Sequence, residues 1–185
     1  MVADTLLLAL VLVVGPQASG KSTVAAGLSA ELRRRGERVA LVELDQVAAM
    51  ALPTLPSWEA AHHVFETTVG LWAGTDLTCV IAEGSGSAEE VERLRLQAPG
   101  GAAIVTVAAT TPFETAYARA LADPTRGVSK EYAFLSGVYE RWADEHTRID
   151  PDLTIDTAAL TVEDGVRRIA SAIDASRLSA RPHSR

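Results

Sequence analysis

Five short apolar segments alternate along the chain with stretches whose apolar residues recur at helical spacing. The segments cover residues 6–14, 38–44, 77–82, 102–108 and 153–156. Continuous apolar runs of this length are typical of strands that are buried on both faces, and strands separated by helices pair in parallel. The alternation therefore predicts an α/β fold with helices on both faces of a parallel sheet. Ligands of such sheets bind at the carboxyl ends of the strands.

The composition is ordinary for one globular domain. The chain has 185 residues, of which 48% are hydrophobic and 22% are charged, and we expect a single domain over residues 1–175. Residues 176–185 are mostly polar and include Pro182. We expect this stretch to form a flexible C-terminal tail.

Charge, apolar run length and cysteine content exclude several classes of partner. The net charge of -7 has the wrong sign for binding a phosphate backbone by counterion release, so nucleic acid is not expected as a partner. The apolar run in residues 6–14 is well short of the roughly 20 residues that span a bilayer as a helix, so no membrane association is expected. Cys79 is the only cysteine, which excludes an internal disulfide framework and predicts a cytoplasmic protein.

A glycine-rich motif stands between the first predicted strand and the first predicted helix. Its residues match the pattern G-x-x-x-x-G-K-[S/T] in full: Gly15, Pro16, Gln17, Ala18, Ser19, Gly20, Lys21, Ser22 and Thr23. The backbone N–H groups of such a loop and the following helix N-terminus bind phosphate groups. Lys21 is expected to reach the outer phosphates, and Ser22 is expected to coordinate Mg²⁺.

An acidic residue ends the second predicted strand. Strand alternation places Glu43 and Asp45 on one face, with Asp45 at the carboxyl tip beside the phosphate site. A carboxylate there can orient an incoming hydroxyl group or accept its proton as a general base. The alternative is that Asp45 caps a helix that begins at Gln46.

The third predicted strand also ends in an acid, Glu83, which is followed by Gly84, Ser85 and Gly86. Glu83 resembles a Walker-B acid that holds Mg²⁺ directly or through water. Gly84 and Ser85 are expected to contact a substrate, because glycine lets the backbone approach closely; a purely structural turn is the alternative. Ser87 and Glu90 have the spacing of a capping box, in which each side chain accepts a hydrogen bond from the other residue's N–H group.

Two arginines lie in a segment between the fourth and fifth predicted strands. Residues 119–130 run from Arg119 through Pro124, Arg126 and Gly127 to Lys130. A loop of this composition between two helices predicts a lid at about residues 120–130 that closes over a transferring phosphoryl group. Arg126 at its tip would spread its donors over the phosphoryl oxygens. The alternative is a solvated surface charge.

Taken together, these motifs resemble the small P-loop kinases, a group that includes shikimate, gluconate and adenylylsulfate kinases and the chloramphenicol phosphotransferase-like enzymes. The resemblance extends over roughly residues 6–173. It implies a three-layer P-loop NTPase fold with a five-stranded parallel sheet in the order 2-3-1-4-5. It also implies that ATP is the phosphoryl donor, that Arg119 stacks on adenine beside residues 157–160, and that Arg126 is the lid arginine. The acceptor would bind largely to helices at about residues 46–74.

Basic residues are absent from the stretch that should build the acceptor site. Residues 39–92 contain nine acidic residues and no lysine or arginine. Kinases of anionic acceptors usually pair the anion with an arginine. Unless a distant cation such as Arg119 or Arg141 serves, the acceptor is therefore expected to be neutral or positively charged.

The same stretch contains aromatic residues at helical spacing. Trp58, Phe65 and Trp72 would share one helix face, which is more typical of a core than of a pocket. An apolar, aromatic and acidic site would nevertheless suit a hydroxylated natural product or an aminosugar. His62 and His63 would point about 100° apart on a helix, which makes a poor metal pair. One of them could hydrogen-bond the acceptor, although a surface role is favoured.

The predicted function is ATP- and Mg²⁺-dependent transfer of the γ-phosphoryl group to a hydroxyl of a small neutral or cationic molecule, such as an antibiotic or an aminosugar. Asp45 would act on the hydroxyl, Lys21 and Arg126 would stabilise the phosphoryl group, and Ser22 and Glu83 would hold the metal. Two alternatives stay open. One is a kinase of an anionic metabolite such as adenylylsulfate, a shikimate-like compound or a nucleoside monophosphate. The other is a binding protein that ATP only gates.

Overall fold

The computed structural model describes residues 6–180. Its strands are β1 (Ala9–Val14), β2 (Val39–Glu43), β3 (Cys79–Glu83), β4 (Ala103–Thr110) and β5 (Leu153–Asp156). Its helices are α1 (Lys21–Arg34), α2 (Leu44–Ala49), α3 (Trp58–Ala73), α4 (Ala88–Arg95), α5 (Phe113–Ala122), α6 (Tyr132–Ile149) and α7 (Val162–Ala180), and a short 3-10 helix (Val128–Lys130) precedes α6. Among these helices none is long and apolar enough to cross a bilayer.

The five strands form one parallel sheet in the order β2-β3-β1-β4-β5. This confirms the predicted sheet, its strand order and the position of all five strands. The first strand lies at the centre, and all six of its residues are buried. Because the strands are parallel, the loops after β1, β2 and β3 leave from the same edge of the sheet, which brings the predicted site residues to one place.

Two hydrophobic cores cover the two faces of the sheet. Successive side chains of a strand point to opposite faces, so alternate residues of β1 enter different cores. Val11 and Val13 pack with α1 and α7 on one face, whereas Leu12 and Val14 pack with α2, α3, α4 and α6 on the other. The observed three layers explain why the strands lack the polar alternation of a half-exposed sheet.

The predicted C-terminal tail is wrong for residues 176–180. Helix α7 continues to Ala180, and Arg177 within it is only 5% exposed. Its guanidinium donates to the carbonyl oxygens of Leu7 (2.9 Å) and Thr78 (2.7 Å) and to both carboxylate oxygens of Glu37 (3.1 and 2.6 Å). Burial of an arginine is tolerated because these partners satisfy its donors. Residues 181–185 of the predicted tail lie outside the described residues.

The predicted strand position of Asp45 is also wrong. Strand β2 ends at Glu43, and the chain turns at once into α2, so Asp45 lies in the first turn of that helix. Glu43 and Asp45 therefore do not share a strand face. The alternative prediction fails as well, because Glu43 and not Asp45 precedes the first helical residue. The turn comes early because Leu44, Val47 and Ala48 are buried on the inner face of α2. A carboxylate in the first turn also interacts favourably with the helix dipole.

We predict that Arg177→Ala lowers the free energy of unfolding by about 3–5 kcal/mol, because it leaves the buried Glu37 carboxylate without its partner. Urea denaturation followed by circular dichroism measures this change. Arg168→Ala is the matched control, since Arg168 lies on the exposed face of the same helix, and it should leave stability almost unchanged. Equal stability of the two variants would contradict a stabilising role for the Arg177 contacts.

Candidate functional site

The glycine-rich loop joins β1 to α1 at the carboxyl edge of the sheet. Gly15 has a φ of +151°, and a Cβ atom there would lie 2.2 Å from the carbonyl oxygen of Ala109. Gly20, which precedes α1, has a φ of +91° in the left-handed region. Glycine is the residue that tolerates both constraints. The loop thus runs against β4 and presents the N-terminus of α1, as the phosphate-binding motif requires.

Lys21 and Glu83 form the buried charged pair of the site. The parallel register pairs Val13 with Glu83, which brings the end of β3 beside the loop. The Lys21 ammonium donates to the carbonyl oxygen of Pro16 (3.1 Å) and lies 3.7 Å from Glu83 Oε1. Burial raises the pKa of Glu83 to about 7, against the opposing effect of Lys21. Burial also lowers the pKa of Lys21. Both charged forms therefore lack solvation, which is common at functional sites.

Ser22 and Glu83 have the donors that Mg²⁺ prefers. The Ser22 hydroxyl donates to Glu83 Oε2 over 3.4 Å, so a hydroxyl and a carboxylate oxygen lie side by side. Within residues 6–180, no cluster of three or more acidic, histidine or cysteine residues could hold a metal by itself. A Mg²⁺ ion here would therefore draw its other ligands from phosphates and water, which is its usual coordination in nucleotide sites. The two residues fit the predicted metal site.

The loop after β3 packs directly against the glycine-rich loop. Gly86 has a φ of +87°, and a Cβ atom there would lie 2.9 Å from both the Gly15 nitrogen and the ring of Trp142. The N–H groups of Ser85 and Gly86 donate to Glu90 Oε1 at 2.8 and 3.3 Å. These bonds replace half of the predicted capping box. The N–H group of Glu90 donates to Ser87 Oγ as expected (3.1 Å), but the Glu90 carboxylate turns to the preceding loop.

Glu90 also contacts a histidine on the neighbouring helix. Its side chain is fully buried, and Oε2 lies 2.6 Å from Nδ1 of His62 on α3. This carboxylate raises the pKa of His62, against the opposing effect of partial burial. A surface role for His62 is therefore wrong, because only His63 is exposed. The two histidines do diverge around the helix, as their adjacent positions predict.

One cavity of about 410 Å³ opens between the two loops. Its lining includes the predicted residues Lys21, Asp45, Glu83, Gly84 and Ser85. The other lining residues come from the loops and from α2, α3 and α6: Gly15, Pro16, Gln17, Leu44, Trp58, His62, Gly86, Ser87, Phe134, Val138, Arg141, Trp142 and Glu145. We call this space the main cavity. It brings the phosphate-binding loop, the Glu83 carboxylate and Asp45 together.

Helix α6 forms a wall of the main cavity, and of its lining residues only Arg141 was considered from the sequence as a possible acceptor contact. The expected acceptor-binding segment at residues 46–74 supplies only Trp58 and His62 of the lining. The aromatic face expected in this segment is divided, since Phe65 is buried in the core and Trp72 is exposed outside the cavity. The signal in α6 was available: Phe134, Val138, Arg141, Trp142 and Glu145 recur at helical spacing. Because these residues are a mixture of polar and apolar types, the pattern resembles that of an ordinary surface helix.

A second cavity of about 320 Å³ lies on the other side of the glycine-rich loop. Its lining comprises Ala18, Gly20, Thr23, Val24, Arg119, Asp123, Arg126, Ile155, Thr157, Leu160, Thr161 and Val162. Arg119 donates to Thr157 Oγ1 (2.8 Å) and to the Thr157 carbonyl oxygen (2.9 Å). Thr157 in turn donates to the carbonyl oxygen of Ser19 (2.6 Å). Arg119 is thus held against the loop beside residues 157–160.

Arg126 borders the second cavity and not the main one. Its Nε atom lies 3.2 Å from Asp123 Oδ2, so the structure does not bring it together with Asp45. The lid segment begins later than expected, because α5 continues to Ala122. Residues 123–127 then connect it to the 3-10 helix.

No family model and no curated protein matches the sequence. Solved structures do match: a shikimate kinase from Acinetobacter baumannii in complex with shikimate has 19% identity and a TM-score of 0.62 over 95% of this chain and 97% of that chain. The APS kinase of Mycobacterium tuberculosis in complex with AMPPNP and APS has 18% identity and a TM-score of 0.64 over 91% and 99%.

A gluconokinase from Sinorhizobium meliloti 1021 has 17% identity and a TM-score of 0.64, over 94% of this chain and 96% of that chain. These structures belong to the group that the sequence motifs resemble. Together with the observed strand order, they confirm the P-loop NTPase fold of small-molecule kinases. At this level of identity the likeness concerns the fold.

We predict that Gly86→Ala costs about 1–3 kcal/mol more of unfolding free energy than Gly101→Ala. Both glycines have a positive φ, +87° and +84°, but a Cβ atom at Gly101 meets nothing within 4 Å. The difference thus separates the contacts with Gly15 and Trp142 from backbone strain. Urea denaturation measures stability, and isothermal titration calorimetry with MgATP should show weaker binding for Gly86→Ala alone. Equal effects of the two substitutions would contradict the close packing of the two loops.

Proposed function

We propose that the protein is an ATP-dependent O-phosphotransferase that acts on a hydroxyl group of a small molecule. The observation that carries this proposal is the main cavity, where Lys21, Glu83 and the Asp45 carboxylate border one space that opens onto the glycine-rich loop. The fold shared with small-molecule kinases supports it. A cytoplasmic location and the lack of a nucleic-acid partner stay predictions from composition.

The two cavities would bind different substrates. The second cavity would hold the nucleoside part of ATP, with Arg119 beside the base and the phosphates crossing the loop toward Lys21. Ser22 and Glu83 would hold Mg²⁺, which when bound neutralises charge on the phosphate oxygens. The main cavity would hold the acceptor. Arg126 would have to leave Asp123 to reach the γ-phosphoryl group, a movement consistent with a lid.

The chemical step exchanges one P–O bond for another. The acceptor oxygen attacks the γ-phosphorus, and the bond from that phosphorus to the β–γ bridging oxygen breaks. The hydroxyl proton passes to the Asp45 carboxylate, and ADP leaves. Lys21 donates to phosphate oxygens, which restores the solvation that burial removes from its ammonium group. Positioning and charge stabilisation supply most of the acceleration of such a reaction.

The cavity lining supports a hydroxylated acceptor with an apolar face. Trp58, Phe134 and Trp142 supply aromatic surface on the acceptor side, which suits a carbon ring. The Glu145 carboxylate accepts from the Ala88 N–H group (2.7 Å) and pairs with Arg148 (3.0 Å), so its charge is compensated. These features favour a neutral polyhydroxylated molecule, and the exposed Asp45 would also accommodate a cationic one such as an aminosugar.

A second candidate function follows from Arg141. This arginine comes from α6 and lines the main cavity, and among residues 6–180 it forms no salt bridge. It is one of the distant cations that would permit an anionic acceptor despite the absence of basic residues from residues 39–92. An arginine without an anionic partner fits a carboxylate or phosphate geometrically. A kinase of an anionic metabolite is therefore the alternative.

We predict that Asp45→Asn retains MgATP binding but lowers acceptor turnover about 100-fold or more, since it removes the general base. Coupled ADP-release kinetics measure turnover, and calorimetry measures nucleotide binding. Asp144→Asn is the matched control, because Asp144 is an exposed aspartate on the cavity-bordering helix α6 but does not line the cavity. Unchanged turnover in Asp45→Asn would exclude the assigned role.

A panel of four compounds should separate the acceptor classes. The panel contains neutral D-glucose, cationic D-glucosamine, anionic D-gluconate and anionic shikimate, each tested for ATP-dependent ADP release. We expect D-glucose or D-glucosamine to have the highest kcat/KM, and Arg141→Gln to change it less than threefold. Preference for an anionic compound, with a loss of about 10-fold or more in Arg141→Gln, would favour the second candidate. Slow hydrolysis that no compound stimulates would instead indicate an ATP-gated binding protein.

A further inference from the structure

A histidine in the wall of the main cavity is held by a buried carboxylate. His62 lines the cavity from α3, and its Nδ1 atom lies 2.6 Å from Oε2 of Glu90. Glu90 is 0% exposed and uses its other oxygen to accept from the Ser85 and Gly86 N–H groups. Nδ1 lies against the Glu90 carboxylate as an ion-pair contact, so Nε2 is the ring nitrogen that remains for a ligand. The phosphate chemistry described above does not use this pair.

The charges around His62 favour its protonated form. The titratable and charged groups that line the cavity or lie on the elements beside His62 include Lys21 on α1, Glu43 on β2, Asp45 on α2, Glu59, His63 and Glu66 on α3, Glu83 on β3, Glu90 and Arg93 on α4, and Arg141 and Glu145 on α6. The two other charges that act on the pKa of His62, Glu66 and Arg93, have opposite effects and pair with each other at 2.8 Å. Glu90 is then the dominant neighbour, and it raises the pKa of His62.

We propose that His62 binds the acceptor by donating a hydrogen bond from Nε2 to one of its oxygen atoms, with Glu90 as the positioning residue that orients the ring. This inference rests on the proposed function, since it concerns the acceptor side of the same cavity. His62 is then a donor from a stretch of chain that contains no lysine or arginine. It would select an acceptor that carries a hydroxyl, carbonyl or carboxylate oxygen at that position.

The arrangement makes the donor role depend on protonation. In the imidazolium form both ring nitrogens carry hydrogen, so Nδ1 faces its ion-pair partner Glu90 and Nε2 is a donor for the acceptor. When the ring loses one proton, the carboxylate retains the hydrogen on Nδ1, and Nε2 presents a lone pair to the acceptor. Acceptor binding is therefore complete below the pKa of His62 and weakens as the pH rises through it. Because that pKa is raised, the loss begins above the ordinary histidine value of about 6.5.

The same carboxylate connects the histidine to the loop after β3. A Cβ atom at Gly84 would lie 2.1 Å from Glu90 Oε1, so the loop and the carboxylate are in direct contact. One oxygen of Glu90 thus contacts the His62 ring, and the other contacts the backbone of the loop after β3. Such shared positioning keeps the acceptor hydroxyl at a set distance from the glycine-rich loop.

The first test replaces each histidine of α3 in the full-length protein. With the preferred compound of the four-member panel at saturating MgATP, His62→Ala should lower kcat/KM about 10- to 100-fold, the value of a charge-assisted hydrogen bond. The KM for MgATP should change less than twofold. His62→Gln, whose amide can donate, should recover part of the loss. His63→Ala is the matched control and should behave as wild type. Equal kinetics of His62→Ala and His63→Ala would overturn the proposal.

The second test separates orientation from packing by means of Glu90→Gln. The amide oxygen can still accept from Ser85 and Gly86, while the amide NH₂ group faces Nδ1 and favours the tautomer with hydrogen on Nε2. Wild type should lose kcat/KM as the pH rises through the His62 pKa, and Glu90→Gln should lose this alkaline decrease. Imidazole ¹⁵N shifts, which distinguish the tautomers, should show the hydrogen moving from Nδ1 to Nε2. An unchanged pH profile together with unchanged ¹⁵N shifts would overturn the positioning role.

A failure of the kinase proposal remains distinguishable. If wild type phosphorylates none of the four compounds, the His62 proposal is decided by titrating each compound without ATP and following the imidazole ¹⁵N signals. A change at His62 Nε2 with any compound, without a change at His63, supports the proposal. The absence of any change at His62 with all four overturns it.

Discussion

The close approach of two glycine-containing loops determines where every group of the site can lie. Strands β1 and β3 are neighbours in the sheet, so their loops leave the carboxyl edge side by side. Gly86 lies so near the Gly15 nitrogen that no side chain fits between them. This contact holds Glu83 against Lys21 and leaves one cavity on each side of the glycine-rich loop. The separation of the two cavities is therefore a consequence of sheet order and backbone contact, before any side-chain chemistry is considered.

Two buried ion pairs in this protein differ in how completely their charges are compensated by neighbouring groups. Arg177 and Glu37 meet at 2.6 Å with further carbonyl acceptors for the guanidinium, so burial is compensated on the spot. Lys21 and Glu83 lie 3.7 Å apart, and their pKa values are displaced toward the neutral forms. An incompletely compensated pair gains most from a ligand that brings charge, as phosphate and Mg²⁺ do. The contrast favours a stabilising role for the first pair and supports the proposed binding role of the second.

Local motifs predicted the strands and the glycine-rich loop, whereas contacts between distant segments could not be predicted from the sequence. Strand positions and the glycine-rich loop depend on neighbours in the chain, and the structure agrees with them. Residues 176–180 were predicted to be part of a tail because they are mostly polar, and polar composition does not reveal that Arg177 pairs with Glu37. Glu90 was expected to cap its own helix, yet its carboxylate is drawn to the unpaired N–H groups of Ser85 and Gly86. In each case a buried polar group pairs with a group that tertiary packing brings close to it.

The charge of the acceptor illustrates the same limit most clearly. The absence of basic residues from residues 39–92 is a property of a segment, but a cavity is lined by whichever elements the fold brings together. Helix α6 contributes Arg141 from outside residues 39–92. Inside that segment, the protonated form of His62 is a further cation, which a count of lysine and arginine residues does not include. These two residues line the same cavity as Asp45. Under the proposed function, the positions of donors and acceptors on the molecule would therefore matter in addition to its net charge.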